Sequence, residues 1–241
     1  MVNLVLEHFL PNFTIYINST LSSVTLKKVD SRIKKFEKLV SSFGSALDKN
    51  NTQLVKEILS ERLLNDVERY CLLSTKHQDY GMKTALHMAV KNGNLDVVKI
   101  FAEQTYVPFT SLVTRHDEEK KTPLLTAAKY GHLDIFKYLV EKADTNSTDN
   151  DGETIIHVAA RYGHLMIINY LVYHSANVNT ANNDKETALH RAAQGGHLKV
   201  IECLIKNGAE LNIANKSGRT AQYVAAQNGH ISIIKHLVEN H

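Results

Sequence analysis

Histidine is the residue type in this chain best suited to chemistry, because an imidazole can act as a general acid or base near neutral pH and can bind zinc. The 241 residues include 13 histidines but only 7 phenylalanines. Seven of the histidines recur at two positions of a repeated pattern, which are His87, His157 and His190 at the first and His132, His164, His197 and His230 at the second. Whether they can act together depends on how the fold spaces them.

The two cysteines, Cys71 and Cys203, are weaker candidates for chemistry. Two thiols cannot form a disulfide framework or supply all four ligands of a structural zinc site. Cys203 lies in the apolar run V-I-E-C-L-I, which favours a small core residue over a nucleophile. The chain also lacks the phosphate-binding glycine-rich loops and the G-x-S-x-G and H-E-x-x-H motifs. We therefore expect no catalytic residue, no metal ligand, no cofactor and no enzymatic activity.

The composition excludes several further classes of protein. Hydrophobic residues make up 43% of the chain and charged residues 22%, which is typical of a soluble globular protein. The net charge of +3 is too small for a protein that neutralises phosphates along a nucleic acid, and we interpret the lysines of residues 27–38 as a solvated helix face. No run of about 18 apolar residues exists to span a membrane, and the first residues do not resemble a signal peptide. We expect a cytoplasmic monomer that neither binds nucleic acid nor inserts into a membrane.

One sequence pattern occurs five times and indicates the elements that position these residues. It reads T-A-L-H-M-A-V-K-N-G-N-L from Thr84, and similar copies begin at Thr122, Thr154, Thr187 and Thr220, after 38, 32, 33 and 33 residues. The threonine suits the N-cap of a short helix, and the glycine of each copy suits its end. A second apolar helix and a polar loop follow. Each unit is too small to bury its apolar face alone, so the units are expected to stack.

These five copies resemble the ankyrin repeat over residues 80–241. The resemblance implies an all-α solenoid of helix-turn-helix-loop units. The pattern decays before residue 80, and we interpret residues 36–79 as a degenerate first repeat with an insertion over residues 64–79 and a helix break at residues 49–51. Residues 1–35 are interpreted as a helical segment that caps the stack. In the fifth copy Gln222 and Tyr223 replace the usual leucine and histidine, as suits a terminal repeat with a solvated outer face.

Stacking settles how the repeated histidines are interpreted. Equivalent positions in successive repeats lie about 10 Å apart, whereas zinc needs its nitrogen ligands at about 2.1 Å. Matching histidines therefore cannot converge on one ion. We predict that they are structural and that their imidazoles form hydrogen bonds with the backbone of the loops.

The resemblance also implies a binding surface, because partners of ankyrin proteins contact the loop tips and the exposed, concave face of the first helices. Tyr130, Arg161 and Tyr162 are central along this surface, and both residue types are enriched in binding hot spots. The candidate partner-binding residues at the matching positions are Tyr80, Lys83, Lys91, Asn92, Lys121, Lys129, Tyr130, Asp151, Glu153, Arg161, Tyr162, Asp184, Glu186, Gln194, Arg219 and Gln227. The expected function is non-catalytic binding of a partner protein.

Two alternatives keep the repeats as the binding element. Residues 10–29 loosely resemble the start of an F-box, with a Leu-Pro followed by spaced aliphatic residues, although the usual acidic residue is missing. That resemblance implies a substrate adaptor of a ubiquitin ligase. The second alternative is an ankyrin effector that an intracellular bacterium secretes into the host cytoplasm.

Overall fold

A computed structural model describes residues 23–60, 64, 66–74, 83–104 and 108–240 of the chain. Within these residues the secondary structure is entirely helical, which confirms the expected all-α class. Of the sequence predictions, residues 10–22 of the F-box-like stretch and the candidate Tyr80 lie outside the described residues. None of the helices found in the described residues is long and apolar enough to cross a membrane.

The described residues form fourteen helices. They are α1 (Ser23–Asp48), α2 (Thr52–Ser60), α3 (Asp66–Ser74), α4 (Ala85–Lys91), α5 (Leu95–Ala102), α6 (Phe109–Val113), α7 (Pro123–Tyr130), α8 (Leu133–Val140), α9 (Ile155–Arg161), α10 (Leu165–Tyr173), α11 (Ala188–Gly195), α12 (Leu198–Lys206), α13 (Ala221–Gln227) and α14 (Ile231–Glu239).

The five sequence copies form five helix pairs that stack in two rows. The first helices α4, α7, α9, α11 and α13 contact one another in that order, and the second helices α5, α8, α10, α12 and α14 form the other row. Fully buried alanine pairs let the first helices approach closely, and they are Ala127–Ala128, Ala159–Ala160 and Ala192–Ala193. Buried side chains of all five pairs belong to one continuous apolar core. The predicted solenoid of stacked units is therefore confirmed.

The N-terminal helices extend the same arrangement. The predicted break at residues 49–51 is confirmed, since α1 ends at Asp48 and α2 begins at Thr52. Asn50 there has a φ of 55°, similar to the 72° of Gly93 at the end of the first clear repeat's first helix. α2 packs against α5, as neighbours in the second row do. These features support the interpretation of residues 36–79 as a degenerate repeat, which remains a proposal.

Three details differ from the simplest expectation. Helix α1 is continuous through residues 35 and 36, where we had placed a boundary between segments. The insertion after α2 contains helix α3, whose Leu72 and Leu73 are buried. The 38-residue spacing between the first and second copies leaves room for an additional helix, α6, whose apolar Leu112 and Val113 are buried in the core.

The space around Gly131 shows how closely successive repeats pack together. Its φ is +72°, and a Cβ there would lie 2.3 Å from Nδ1 of His164 in the next repeat. Gly229 holds the same place in the last repeat, with a φ of +74° and no atom within 4 Å of such a Cβ. We expect Gly229→Ala to cost about 1–2 kcal/mol from backbone strain alone.

Gly131→Ala should cost at least about 1 kcal/mol more than Gly229→Ala, because it adds a clash with the imidazole to the same strain. Urea titration of both variants gives the two free energies of unfolding. In a His164→Ala background, which already lacks the imidazole and its hydrogen bond, Gly131→Ala should cost no more than Gly229→Ala does in the wild type. Equal costs at the two glycines would show that the imidazole does not pack over Gly131.

Candidate functional site

The first set of histidines joins the start of each first helix to the next loop. In the third repeat the backbone N–H and the hydroxyl of Thr154 both lie within hydrogen-bond distance of Nδ1 of His157, at 3.3 and 2.8 Å. The other ring nitrogen, Nε2, donates to the carbonyl oxygen of Glu186, 2.9 Å away in the following repeat. The same arrangement joins His87 to Thr84 and the Lys121 carbonyl, and His190 to Thr187 and the Arg219 carbonyl.

The second set of histidines points in the opposite direction along the stack. Nε2 of His164 donates to the carbonyl oxygen of Lys129, 2.8 Å away at the end of the preceding first helix. Equivalent bonds join His132 to Lys91, His197 to Arg161 and His230 to Gln194, over 3.0, 3.0 and 3.2 Å. The predicted hydrogen bonds to the backbone of the loops are therefore confirmed for the first set, whereas the second set binds carbonyls in the last two residues of a first helix instead.

The other side chains considered for chemistry are those of the two cysteines and of possible metal ligands. The described part of the chain contains no group of three or more His, Cys, Asp or Glu residues that could hold a metal ion. Burial raises the pKa of the thiols of Cys71 and Cys203, so neither is activated as a thiolate. Cys203 is half-buried, and its thiol donates to Oδ1 of Asn169 at 3.1 Å.

Aspartate and asparagine shape the loops between repeats. Oδ1 of Asp149 accepts hydrogen bonds from the N–H groups of Asp151 and Glu153, at 3.0 and 2.9 Å. Asp117, Asn182 and Asn215 do the same in the other loops. Each stands five residues before the capping threonine, a signal that our sequence analysis missed. Neighbouring loops are also bonded directly, for example from the N–H of Asn183 to the carbonyl of Asp151 at 3.0 Å.

In three loops the residue before the threonine pairs with the Asp or Asn that shapes the next loop. Lys121 lies 3.5 Å from Oδ2 of Asp149, and Lys83 lies 3.8 Å from Oδ2 of Asp117. Where the preceding residue is Glu186, the turn residue is Asn215, whose amide donates to the carboxylate at 3.0 Å. In these three loops lysine is thus paired with aspartate, and glutamate with asparagine. These loop residues link repeats, which limits their freedom to contact a partner.

Glu153 requires a correction, because we predicted it as an exposed loop-tip residue. Its side chain is only 2% exposed, and it forms an ion pair with Nε of Arg191, a residue absent from our predicted site. Arg191 also lies 2.7 Å from Oε2 of Glu186. Burial raises the pKa of Glu153, while Arg191 and then Arg161 act in the opposite direction. The last residue of this loop turns inward, so Glu153 joins repeats instead of facing solvent.

The remaining candidates differ in how freely they meet solvent. The exposed ones are Lys91, Tyr130, Asp151, Tyr162, Asp184, Gln194 and Gln227, and the half-buried ones are Lys83, Asn92, Lys121, Lys129, Arg161, Glu186 and Arg219. Asn92 is tied to α1, because its amide donates to the carbonyl of Leu47 at 2.8 Å. Arg219 donates to Oε1 of Gln227 at 3.1 Å. The structure therefore separates surface residues from those that fasten the stack.

Five residues at the ends of α4, α7 and α9 form what we call the basic aromatic row. They are Lys91, Lys129, Tyr130, Arg161 and Tyr162. The ammonium of Lys129 lies 5.9 Å from the ring centre of Tyr130 and 5.7 Å from that of Tyr162. The Tyr130 ring stacks on His132 at 6.3 Å with an angle of 12° between the planes. Both tyrosines stay exposed, at 37% and 41%, so core packing does not explain their presence.

Comparison with known families agrees with this geometry. The family model described as ankyrin repeats matches in three copies, over residues 43–149, 109–182 and 175–241. The first match begins within α1, ahead of the five copies seen in the sequence. No curated protein is similar enough in sequence to count as a match.

Glu153→Ala should destabilise the fold by about 1–3 kcal/mol, because it leaves the largely buried Arg191 with one carboxylate fewer. Asp151→Ala, two residues earlier in the same loop, removes an exposed carboxylate and should change stability by less than about 0.5 kcal/mol. Denaturant titration of the two variants distinguishes the roles. A cost at Glu153 no larger than that at Asp151 would contradict the buried ion pair.

Stability should also depend on the protonation of two histidines. Burial lowers the pKa of His157 and His190 below the ordinary value of 6.5, and their backbone hydrogen bonds oppose this only in part. The unfolded chain therefore takes up these protons first as the pH falls. Their contribution to stability is complete above about pH 6.5 and is lost progressively below it.

The melting temperature measured from about pH 7.5 to about pH 5.5 checks this dependence. The double variant His157→Gln/His190→Gln should show a smaller fall than the wild type. His116→Gln, which removes an exposed histidine, serves as the control and should keep the wild-type dependence. The same fall in all three proteins would mean that the two buried imidazoles are not responsible.

Proposed function

The chain belongs to the ankyrin-repeat family, whose repeats are generally protein–protein interaction modules, and we propose that it binds a partner protein without catalysing a reaction. The proposed contact surface is the basic aromatic row together with the neighbouring loop tips at Asp151 and Asp184. In this proposal the surface is the concave face of the stack. The protein acts in the cytoplasm as a scaffold or adaptor.

The observation that carries this proposal is the exposure of Tyr130 and Tyr162 beside cationic side chains. Tyrosine and arginine combine a large contact area with hydrogen-bonding groups, and they are enriched where interface residues contribute most to binding. Apolar residues elsewhere complete the core without these rings. A surface that retains them is better explained by contact with a partner than by folding.

Preorganisation supports the same proposal. The backbone at Lys91, Lys129 and Arg161 is held by the imidazole of the following repeat in each case. The ring of Tyr130 is further placed by its stacking on His132. Side chains that are already ordered lose less conformational entropy on binding, which favours affinity.

The test compares partner capture by wild-type protein and by Tyr130→Ala/Arg161→Ala/Tyr162→Ala. Tagged proteins are incubated with lysate of the source cells, and bound proteins are quantified by mass spectrometry. We expect the triple variant to lose a specific partner, because three central contact residues are removed. Circular dichroism first shows that the variant keeps its helix content.

The matched control is Met166→Ala/Tyr173→Ala. These residues lie on α10 in the second row of helices and are 62% and 84% exposed, so the control also removes exposed apolar surface. It should retain the partner. Undiminished capture by the triple variant, or equal loss in the control, would contradict the proposed surface.

A further inference from the structure

We propose that the basic aromatic row binds an extended, acidic segment of the partner, with carboxylates three residues apart. This inference rests on the proposed function and adds the chemistry of the partner to it. Three observations support it: cations of the row lack ion-pair partners, their spacing follows the repeats, and tyrosine rings lie between them.

The cations of the row have few carboxylate partners within the protein. Lys91 and Lys129 form no ion pair with any residue that the structure describes. Arg161 lies 3.8 Å from Glu153, but that carboxylate is held more closely by Arg191. The row therefore keeps positive charge available for an incoming carboxylate.

The acidic loop residues, in contrast, are mostly paired with cations of the chain. Glu119 pairs with Lys121, Asp184 lies 3.9 Å from Lys216, and Glu186 lies 2.7 Å from Arg191. Asp151 and Glu118 are the carboxylates of these loops without an ion pair among the described residues, and Lys120 and Lys185 of the same loops are likewise without one. With Lys91 and Lys129, four free ammonium groups and a loosely held guanidinium outnumber two free carboxylates, so the net charge of this surface favours an anionic segment.

The spacing of the cations favours an extended segment. Lys91, Lys129 and Arg161 occupy equivalent places in the last turn of α4, α7 and α9, and successive packed helices lie about 10 Å apart. An extended polyproline II chain advances about 3.1 Å per residue and has three residues per turn, so three residues span one repeat and every third side chain lies on the same face. Acidic side chains at positions i, i+3 and i+6 would therefore meet the three cations in turn.

The two tyrosines are placed to contact the residues of the bound segment that lie between its carboxylates. Tyr130 follows Lys129 directly and Tyr162 follows Arg161, so rings alternate with cations along the stack. The ammonium of Lys129 lies at similar distances from both rings, 5.9 and 5.7 Å, and is held between them before any ligand arrives. Apolar side chains of an extended segment, proline in particular, can pack on such rings.

Two synthetic peptides of identical composition test the proposal by fluorescence anisotropy. In the spaced peptide, Glu-Pro-Ala occurs three times in succession, and in the clustered peptide three glutamates precede the prolines and alanines. We expect the spaced peptide to bind at least about fivefold more tightly, because only its carboxylates match the repeat spacing. Its affinity should fall as salt is added, since the contacts are between exposed charges.

Charge reversal locates the site. Lys91→Glu/Lys129→Glu should abolish binding of the spaced peptide. Lys137→Glu/Lys199→Glu makes the same change in charge at exposed positions of the second helices and should leave binding within about twofold of wild type. A single-stranded oligonucleotide of matched length is included as a competitor, because a nucleic acid is the other polyanion that the row could attract.

Four results would overturn the proposal: no binding of the spaced peptide, equal affinity for both peptides, equal loss in both charge-reversal variants, or tighter binding of the oligonucleotide. These results are distinct from failure of the proposed function. If the alanine variant of the row loses its protein partner while the peptides bind equally, the interaction surface stands and the acidic segment does not. If partner capture is unchanged, the interaction surface itself is wrong.

Discussion

Neighbouring repeats are joined by hydrogen bonds between an imidazole of one repeat and a main-chain carbonyl of the other, and the rest of the stack depends on this contact. The repeat helices are seven to nine residues long, too short to be stable in water on their own. Their apolar faces are buried only when the next repeat is in place. The imidazoles fix the register of that stacking, because each reaches one particular carbonyl. His157 and His164 of the third repeat bind in opposite directions, so this repeat is held on both sides.

The same contacts determine where the surface residues stand. In α4, α7 and α9 the imidazole of the following repeat binds a carbonyl in the last two residues of the helix, and the side chain of that residue is a cation of the basic aromatic row. The hydrogen bond from His164 therefore fixes the backbone of Lys129, whose side chain lies beside the rings of the row. Backbone hydrogen bonds and ion pairs also join the loops to their neighbours. These ion pairs involve most of the acidic side chains of the loops. The side chains that stay free on this surface are mainly cationic and aromatic, and the proposed function is based on them.

Much of this could be predicted from the sequence, because the repeat constrains residue type at each position. The capping threonines, the helix-ending glycines and the bonded histidines follow from a pattern that recurs five times. Glu153 was predicted wrongly, because a polar loop does not reveal which of its residues turns inward. Arg191 was missed, since it occupies the place of Thr126 and Val158 in earlier repeats and gives no periodic signal. The position of the Lys129 ammonium between two rings depends on the spacing of two helices, which a single sequence does not contain.

The tautomers of the histidines test the central claim most directly. A carbonyl oxygen can only accept a hydrogen bond, so each of the seven imidazoles must carry its proton on Nε2. In His87, His157 and His190 the nitrogen Nδ1 also accepts from the threonine at the helix start, which requires the same tautomer. Long-range proton–nitrogen correlation spectra at neutral pH should show all seven rings as Nε2–H. Nδ1–H rings, or signals averaged between the two tautomers, would contradict the claim that these imidazoles hold the repeats together.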